Sequence, residues 1–465
     1  MATSAEPIQA RAFPAASGPI TGHWAKLAVI LIVGYQAMGK SFAYLGLPGI
    51  SVYIGEVALA AFLLFGPRAR QGQWFCVVRR VRQLKRFEWL LLLSLFYGGF
   101  EALRGILKGY PALAAVRDIA FNYYPLFLFL GIWVGLRDRG FCSRAVRMLA
   151  LWGGCYGLAW VLFLSRIPWT VPGTGSRVPL FLGPYGASTV ALLGLLAFEA
   201  QPRKVWHLIL LNAFALLGTT SRADWVAFAV GVLALAWLAK GFKHVAIGSM
   251  LMIVLLGLMY VTGLSLPSPM RRGENAGNRI SADYLVARAI APISKDAAEQ
   301  LAPATGVSFA AGTAEWRLVW WASIWTQVHN RLSSALLGFG YGYPIGELNP
   351  DIEPGAFIQT PHNDILYALA FSGWLGVTLF ALLQAELFRL LWRSFGITGQ
   401  PFGLVCWAAL LTMSLFEDFF EAPFGAIPFF LLVGAAIAPA LLAPRRASPH
   451  YAGAPLLGSA DAQLA

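Results

Sequence analysis

The fold class of this chain is decided by residues 206–239, WHLILLNAFALLGTTSRADWVAFAVGVLALAWLA. Two apolar runs, 206–220 and 223–239, are separated by little more than Ser221 and Arg222, so almost no loop lies between them. Each run approaches the roughly 20 residues that a helix needs to cross a hydrocarbon core. A backbone in such a core must pair its own N–H and C=O groups. Both runs are therefore predicted to be helices that form a tight hairpin.

Runs of the same kind recur along all 465 residues. Hydrophobic residues make up 58% of the chain and charged residues only 12%, which is more apolar surface than a water-soluble protein can hide. Because barrel-type alternation is absent, we predict an all-α polytopic membrane protein with about 12 transmembrane helices. The predicted spans are 24–42, 48–66, 88–107, 113–135, 148–166, 180–200, 206–220, 223–239, 245–265, 363–392, 402–417 and 424–443.

The basic residues predict the orientation. Arginine and lysine clusters follow the second and fourth spans and later even-numbered spans, so they all fall on the side that the positive-inside rule identifies as the cytoplasm. This bias accounts for the net charge of +13 without nucleic-acid binding, for which no basic stretch interleaved with exposed aromatic residues is present. The predicted divisions are a cytoplasmic tail at 1–22, transmembrane helices 1–9 at 23–265, a large periplasmic loop at 266–361, transmembrane helices 10–12 at 362–444 and a second cytoplasmic tail at 445–465.

The long exported loop is the first place to look for function, because structureless loops of this length are uncommon. Ser281 is placed to cap a helix that reaches about residue 293. A second predicted helix runs from Thr313 to about Arg331 and carries four tryptophans. Tryptophan favours the membrane–water boundary, so we expect this second helix to lie against the outer leaflet.

Two residues at predicted helix ends are candidates for chemistry. His362 lies in the sequence Pro361-His362-Asn363-Asp364, at the junction of loop and span. A histidine at this position serves either as a general base or as a helix-start residue that is hydrogen-bonded to the backbone. Arg222 is held inside the hairpin, where a cation is costly without a partner. It either extends to lipid headgroups or binds an anion, because a guanidinium group matches phosphate oxygens.

Other cations of the predicted exported side have either an anion-binding role or a structural role. Arg317 lies among the loop tryptophans, where it is suited to pair with an acid, stack on an indole or bind phosphate. Arg104, Lys108 and Arg117 gather at the exported ends of the third and fourth spans, and neighbouring acids offer them a structural role instead.

Nucleotide and metal sites are not indicated. The segment Gly338-Phe339-Gly340-Tyr341-Gly342 lacks the lysine-serine ending of a nucleotide-binding loop and is predicted to be a tight turn. No Asp-x-Asp stands in an exported loop, and the long loop contains no cysteine. We therefore expect no disulfide and no cysteine-based metal site in this loop.

The order and spacing of these motifs resemble the O-antigen ligase and polymerase family of bacterial inner membranes. The resemblance covers most of the chain and is strongest from 206 to 392. It rests on Ser221-Arg222 between two short helices, Arg317 with its tryptophans, the glycine-rich segment 338–342, His362-Asn363 and the bend at Gly373-Trp374-Leu375-Gly376.

The resemblance implies a metal-independent, inverting glycosyltransferase with a GT-C-like, all-helical membrane fold. Such an enzyme moves a glycan from undecaprenyl diphosphate, on the periplasmic side, to lipid A-core in a ligase or to another lipid-linked glycan in a polymerase. In this chain it implies His362 as general base and Arg222 and Arg317 as diphosphate ligands. Supporting roles are suggested for Ser221, Asn363, Arg104, Lys108, Arg117, Arg279 and Arg288.

An O-antigen ligase is the favoured interpretation, with an O-antigen or exopolysaccharide polymerase as the alternative inside the family. A transporter of polysaccharide or lipid-linked oligosaccharide is the main rival of another class, and a non-catalytic scaffold is a third. Transporters often show paired repeats and broken helices at mid-membrane. Here the polar residues of interest gather at the exported face, and the two halves of the chain show no repeat, so both observations favour an enzyme.

Overall fold

A computed structural model shows the chain to be almost entirely helical, which confirms the predicted all-α class. Most of the predicted tail 1–22, the tail 445–465 and the basic stretch 67–84 fall outside the described part of the chain. The structure describes residues 20, 22–45, 53–66, 85–172, 179–199, 202–239, 243–267, 279–291, 293–302, 307–349 and 360–442.

Every predicted span contains a helix. Five stretches are long and apolar enough to cross a membrane, which confirms a polytopic membrane protein; the figure of about 12 crossings stays a prediction. These five are Arg86–Leu107, Ala112–Arg137, Phe141–Leu162, Asp364–Thr398 and Pro423–Leu442. The helices that match the spans are α1 His23–Met38, α2 Lys40–Ala43, α3 Ile54–Phe65, α4 Arg86–Leu107, α5 Ala112–Asp118, α6 Ala120–Tyr123, α7 Phe127–Arg137, α8 Phe141–Leu162, α9 Ala187–Phe198, α10 Trp206–Thr219, α11 Arg222–Leu238, α12 Lys243–Thr262, α17 Asp364–Thr398, α18 Phe402–Met413 and α19 Pro423–Leu442.

Two of the long stretches are not regular helices. The stretch Ala112–Arg137 breaks into α5, α6, a 3-10 turn at Tyr124–Leu126 and α7, and Pro125 lies in that turn because it has no N–H to donate. Helix α17 bends at Gly373, whose φ of 61° and ψ of −167° are open only to glycine. The bend predicted at this position is confirmed.

The described parts of the long loop carry structure of their own. Strands β1 (Leu266–Pro267) and β2 (Arg279–Ile280) form an antiparallel pair. Ser281 caps the following helix as predicted, because its Oγ accepts from the Tyr284 N–H at 3.2 Å. The loop helices are α13 Ala282–Ile290, α14 Lys295–Leu301, α15 Val307–His329 and α16 Leu332–Leu337.

The tryptophan-bearing helix α15 packs on the protein more than the sequence suggests. Trp320 is fully buried and donates to the Ile345 carbonyl at 3.2 Å. Trp321 donates to the Pro361 carbonyl at 2.7 Å. These two tryptophans therefore fasten the loop helix to the bundle instead of facing lipid.

Close helix packing holds the bundle together. A Cβ on Gly131 of α7 would lie 2.4 Å from the Leu431 carbonyl oxygen of α19, and a Cβ on Gly434 would lie 2.6 Å from the Leu128 carbonyl oxygen. Glycines at facing positions let two membrane helices approach closely and gain dispersion energy. Because α19 is the last helix, this contact brings the C-terminal part of the chain onto its N-terminal half.

Candidate active site

The hairpin between α10 and α11 ends at Arg222, as the sequence predicts. Thr220 adopts a left-handed φ of 55°, which turns the chain in a single residue. Ser221 then caps α11, and its Oγ accepts from the Asp224 N–H at 3.3 Å. Ser221 therefore orients the helix that begins with Arg222, so its role here is structural.

A second arginine joins this turn from the long loop. Arg288 on α13 donates from Nε to the Thr220 carbonyl at 2.8 Å and from Nη1 to the Tyr284 hydroxyl at 3.1 Å. Tyr284 is 3% exposed, so the arginine is fixed at both ends of its guanidinium. The loop helix is thereby docked on the turn that carries Arg222.

The third arginine is Arg317 of α15. Its Nη1 donates to the Phe416 carbonyl at 2.7 Å, and its Nη2 lies 3.8 Å from Glu417 Oε1. Burial and the positive charges of Arg288 and Arg317 lower the pKa of Arg222, which stands just before the predicted span 223–239. The charges of Arg288 and Arg317 thus both act on Arg222, which is an arrangement that a multiply charged anion would relieve.

His362 stands against the connection between α18 and α19. Its Nδ1 lies 2.9 Å from Asp418 Oδ1 and 3.8 Å from Glu417 Oε2, and its side chain is 28% exposed. Its φ of 53° is in the left-handed region, which non-glycine residues seldom occupy and which often marks a functional site. Glu417 also lies 3.8 Å from Arg317, and its charge acts on Arg222, so the histidine and the arginines belong to one electrostatic cluster.

Backbone contacts hold this histidine in place. Asn363 caps α17, and its amide also donates to the Leu415 carbonyl at 3.1 Å. The Asp364 carboxylate accepts from the Phe420 N–H at 2.8 Å. The Tyr185 hydroxyl donates to the Asp418 carbonyl at 2.7 Å. The connection 414–422 is thus tied to α17, and Asn363 serves as a positioning residue.

The pKa values of the two acids beside His362 are shifted in opposite directions. Helix α18 ends at Met413, not at 417 as predicted, so Glu417 and Asp418 lie outside the helices. Burial raises the pKa of Glu417 in spite of the charges of Arg317 and His362. Burial acts on Asp418 too, but the hydrogen bond and charge of His362, with Thr360 and Arg317, outweigh it and lower the pKa of that carboxyl. Of the two acids, Asp418 is therefore the one whose ionised form is favoured by its contacts with His362.

Residues 207–381 match the family model described as O-antigen ligase. The match confirms the resemblance to the O-antigen ligase and polymerase family. A comparison with curated proteins gives no match. Arg222, Arg288, Arg317 and His362 all lie inside the matched segment, so the family supports a glycosyltransferase-like membrane enzyme.

The segment that matches the family model ends before the two acids that complete the cluster. Glu417 and Asp418 lie more than thirty residues beyond it, and they were not among the predicted site residues. One signal was available: SLFEDFFE, at 414–421, puts three acids at and just beyond the end of the predicted span 402–417, in a chain that has few acids. Their approach to His362 depends on contacts between segments far apart in the chain, so the spacing of the sequence does not predict it.

Two of the predicted supporting cations have structural roles. Arg104 pairs with Glu101 and donates to the carbonyls of Leu337 and Gly338, the latter at 3.1 Å. Lys108 donates to the Phe339 carbonyl at 2.9 Å. Arg104 and Lys108 therefore hold the start of the glycine-rich segment in place, and their contacts are not with the cluster of Arg222, Arg288 and Arg317.

The remaining candidates lie elsewhere in the described structure. Arg279 is exposed and donates to Ser265 Oγ at 2.6 Å, next to the β1–β2 pair. Arg117 is exposed on α5, and its neighbour Asp118 accepts from the Gly342 N–H at 2.8 Å. Among the described residues, no group of three His, Cys, Asp or Glu side chains is arranged to hold a metal ion.

Proposed function

We propose that this protein is a membrane glycosyltransferase that moves a glycan from undecaprenyl diphosphate to an acceptor hydroxyl, and that it acts as an O-antigen ligase with lipid A-core as acceptor. The observation that carries the proposal is the His362–Asp418 pair beside Arg222, Arg288 and Arg317. Such a cluster supplies a base and an anion site together, which is what transfer from a lipid diphosphate requires.

His362 acts as the general base. The Asp418 carboxylate, with Oδ1 2.9 Å from Nδ1, favours the imidazole tautomer that carries its proton on Nδ1, and this leaves the lone pair of Nε2 for the acceptor hydroxyl. The ionised carboxylate also stabilises the imidazolium that forms when the proton arrives. Glu417, between His362 and Arg317, keeps the cluster from carrying only positive charge.

The proposed transfer step requires neither a metal nor a cofactor. The acceptor O–H bond breaks, its proton passes to His362, and the oxygen forms a bond with the anomeric carbon of the donor. The bond from that carbon to the phosphate oxygen breaks at the same time, and the electron pair leaves with undecaprenyl diphosphate. The arginines stabilise the negative charge that develops on the diphosphate. Direct displacement inverts the anomeric configuration.

The sidedness of the proposal rests on the basic residues of the sequence. They place the ends of α10 and α11 that meet at Arg222 on the side opposite to the basic clusters, which is the periplasmic side of an inner membrane. Both termini are then cytoplasmic. A donor that has already crossed the membrane would meet the site from this side.

The test is reconstitution in liposomes with an undecaprenyl diphosphate-linked glycan and two acceptors, lipid A-core and a second lipid-linked repeat. Wild type is compared with His362→Ala and Arg222→Ala. Matched controls are His207→Ala and Arg279→Ala, which alter exposed residues outside the cluster. We expect transfer to lipid A-core by wild type and both controls, and its loss in the two site variants.

Each alternative has its own outcome. Ladder formation on the second lipid-linked repeat would make the protein a polymerase with the same base and anion site. Full activity of well-folded His362→Ala would refute the assignment of the base. Movement of intact lipid-linked glycan across the liposome, without transfer, would favour the transporter.

A further inference from the structure

Three aromatic rings form a continuous surface at the end of α4, away from the arginine cluster. Phe339 and Tyr343 are stacked, with ring centroids 4.5 Å apart and planes at 25°. Tyr110 meets Tyr343 edge-on, with centroids 5.5 Å apart and planes at 75°. All three side chains are partly exposed. We refer to Tyr110, Phe339 and Tyr343 as the aromatic platform.

The platform is held rigidly by the glycine-rich segment. Gly338, Gly340 and Gly342 all have left-handed φ, of 66°, 97° and 82°. The N–H groups of Phe339 and Gly340 donate to the carbonyls of Ala370 and Phe371 on α17, at 2.7 and 3.0 Å. Rings fixed in this way lose little entropy when a ligand settles on them.

Polar groups surround the rings. The exposed Lys108 donates to the Phe339 carbonyl and leaves two further ammonium protons for other acceptors. The exposed carboxylate of Glu347 interacts electrostatically with Tyr343. Tyr110 and Tyr343 add two hydroxyl groups. A surface with aromatic faces and both donors and acceptors at its edge fits a sugar, which has C–H faces and hydroxyl edges, better than an acyl chain, which has no polar groups to pair.

The platform is also connected to the site by a short rigid path. Its anchor at Ala370 lies six residues beyond Asp364, which is about 9 Å along a helix. Helix α17 begins two residues after His362. A glycan whose end reacts at His362 is therefore long enough, after a few sugar units, to reach the rings.

We propose that Tyr110, Phe339 and Tyr343, with Lys108 at their edge, form a glycan-binding subsite that holds the sugar chain of a substrate beyond the reacting residue. This inference rests on the proposed function, because it takes the substrate to be a glycan. The glycan belongs either to the donor or to the acceptor, and both have the same chemistry at this surface.

The experiment measures binding of lipid-free oligosaccharides to the full-length protein in detergent, by titration calorimetry. The probes are the repeat-unit oligosaccharide released from its lipid and the core oligosaccharide released from lipopolysaccharide. We expect Tyr343→Ala and Tyr110→Ala each to weaken the binding of one probe about tenfold, which corresponds to about 1.4 kcal/mol. The probe affected identifies the donor or the acceptor.

Two variants and a stability measurement control the result. Tyr343→Phe keeps the ring and loses one hydroxyl group, so it should bind the probe more tightly than Tyr343→Ala does. Trp169→Ala removes an aromatic side chain that is 62% exposed outside the platform, and it should change nothing. Thermal unfolding midpoints establish that Tyr343→Ala and Tyr110→Ala are folded.

Two results would overturn the subsite. One is binding of neither probe by wild type, and the other is equal binding by wild type, Tyr343→Ala and Tyr110→Ala. A platform that serves only as a membrane-interface anchor gives the second result. Failure of the proposed function is separate: it appears as no glycan transfer by wild type in the liposome assay, whatever the oligosaccharides do.

Discussion

The substitution Asp418→Asn tests whether His362 depends on a carboxylate partner. It keeps the size of the side chain and leaves the Asp418 main-chain carbonyl with its hydrogen bond from Tyr185. It removes the negative charge that lies 2.9 Å from His362 Nδ1. The amide that replaces it neither stabilises the imidazolium nor selects the Nδ1–H tautomer.

The expected loss can be worked from the distance. Two unit charges 2.9 Å apart attract by about 6 kcal/mol at an effective dielectric constant of 20. The two side chains are 28% and 25% exposed, so solvent screens part of this and about 3–4 kcal/mol remains. That energy corresponds to a fall in kcat of about 10²–10³-fold. The same change in the more deeply buried Ser-His-Asp triad of serine proteases costs about 10⁴-fold.

The assay is transfer in liposomes with saturating donor and acceptor, so that kcat is measured apart from KM. Asp296→Asn, which alters an exposed acid on α14, is the matched control. Unfolding midpoints confirm that the variant is folded. A kcat of Asp418→Asn within twofold of wild type, in a protein that loses activity with His362→Ala, would refute the paired-base mechanism.

Three further changes probe the arginines, the kink and the acidic connection. Arg288→Ala should lower kcat about 10²-fold, because it removes one donor to the charge that develops on the diphosphate. Arg279→Ala is the control and should leave kcat unchanged. Equal kcat values for the two variants would show that Arg288 does not act in the site. Gly373→Ala should lower the free energy of unfolding by about 3 kcal/mol in denaturant titrations, because its φ is 61° and its Cβ would lie 2.4 Å from the Leu336 backbone. Gly99→Ala, with open space around its Cβ, is the control. A Gly373→Ala variant as stable as the Gly99→Ala variant would contradict the kink. Glu417→Gln should raise the unfolding midpoint at about pH 8 and not at about pH 4. The reason is that burial raises the pKa of Glu417, so its contribution to stability is present at low pH and is lost as the pH rises; a rise at both pH values would contradict it.

Several features of the site could be predicted because they follow from local sequence. The sequence indicates Arg222 because a two-residue connection between apolar runs keeps a cation close to the hydrocarbon core, where it is costly without a partner. His362 was identified from its position at the junction of loop and span, and Asn363 beside it proved to be the helix cap. Ser281 was identified as a cap from residue type alone.

Other cations of the exported side could not be told apart from the sequence, because their contacts are with distant segments of the chain. Arg104 and Lys108 have the charge and the location of anion ligands, but carbonyls at 337–339 occupy them, more than 220 residues further along the chain. Spacing cannot tell a cation that binds a substrate from one that fastens a glycine-rich turn. Arg279 and Arg288 were equivalent in sequence, and only the docking of α13 on Thr220 separates them.

The sequence by itself determined the membrane class, the helices and the bend at Gly373, because hydrophobic length and glycine conformation act over a few residues. The tertiary structure decided which acid meets the histidine. Asp418 reaches His362 because Asn363 and Asp364 tie the connection 414–422 to the start of α17, and Tyr185 ties it to the segment before α9. Each of these contacts spans 52 or more residues of chain. Hydrogen bonds between segments so far apart leave no periodic trace in a sequence, so the partner of the base appears only when the helices are packed.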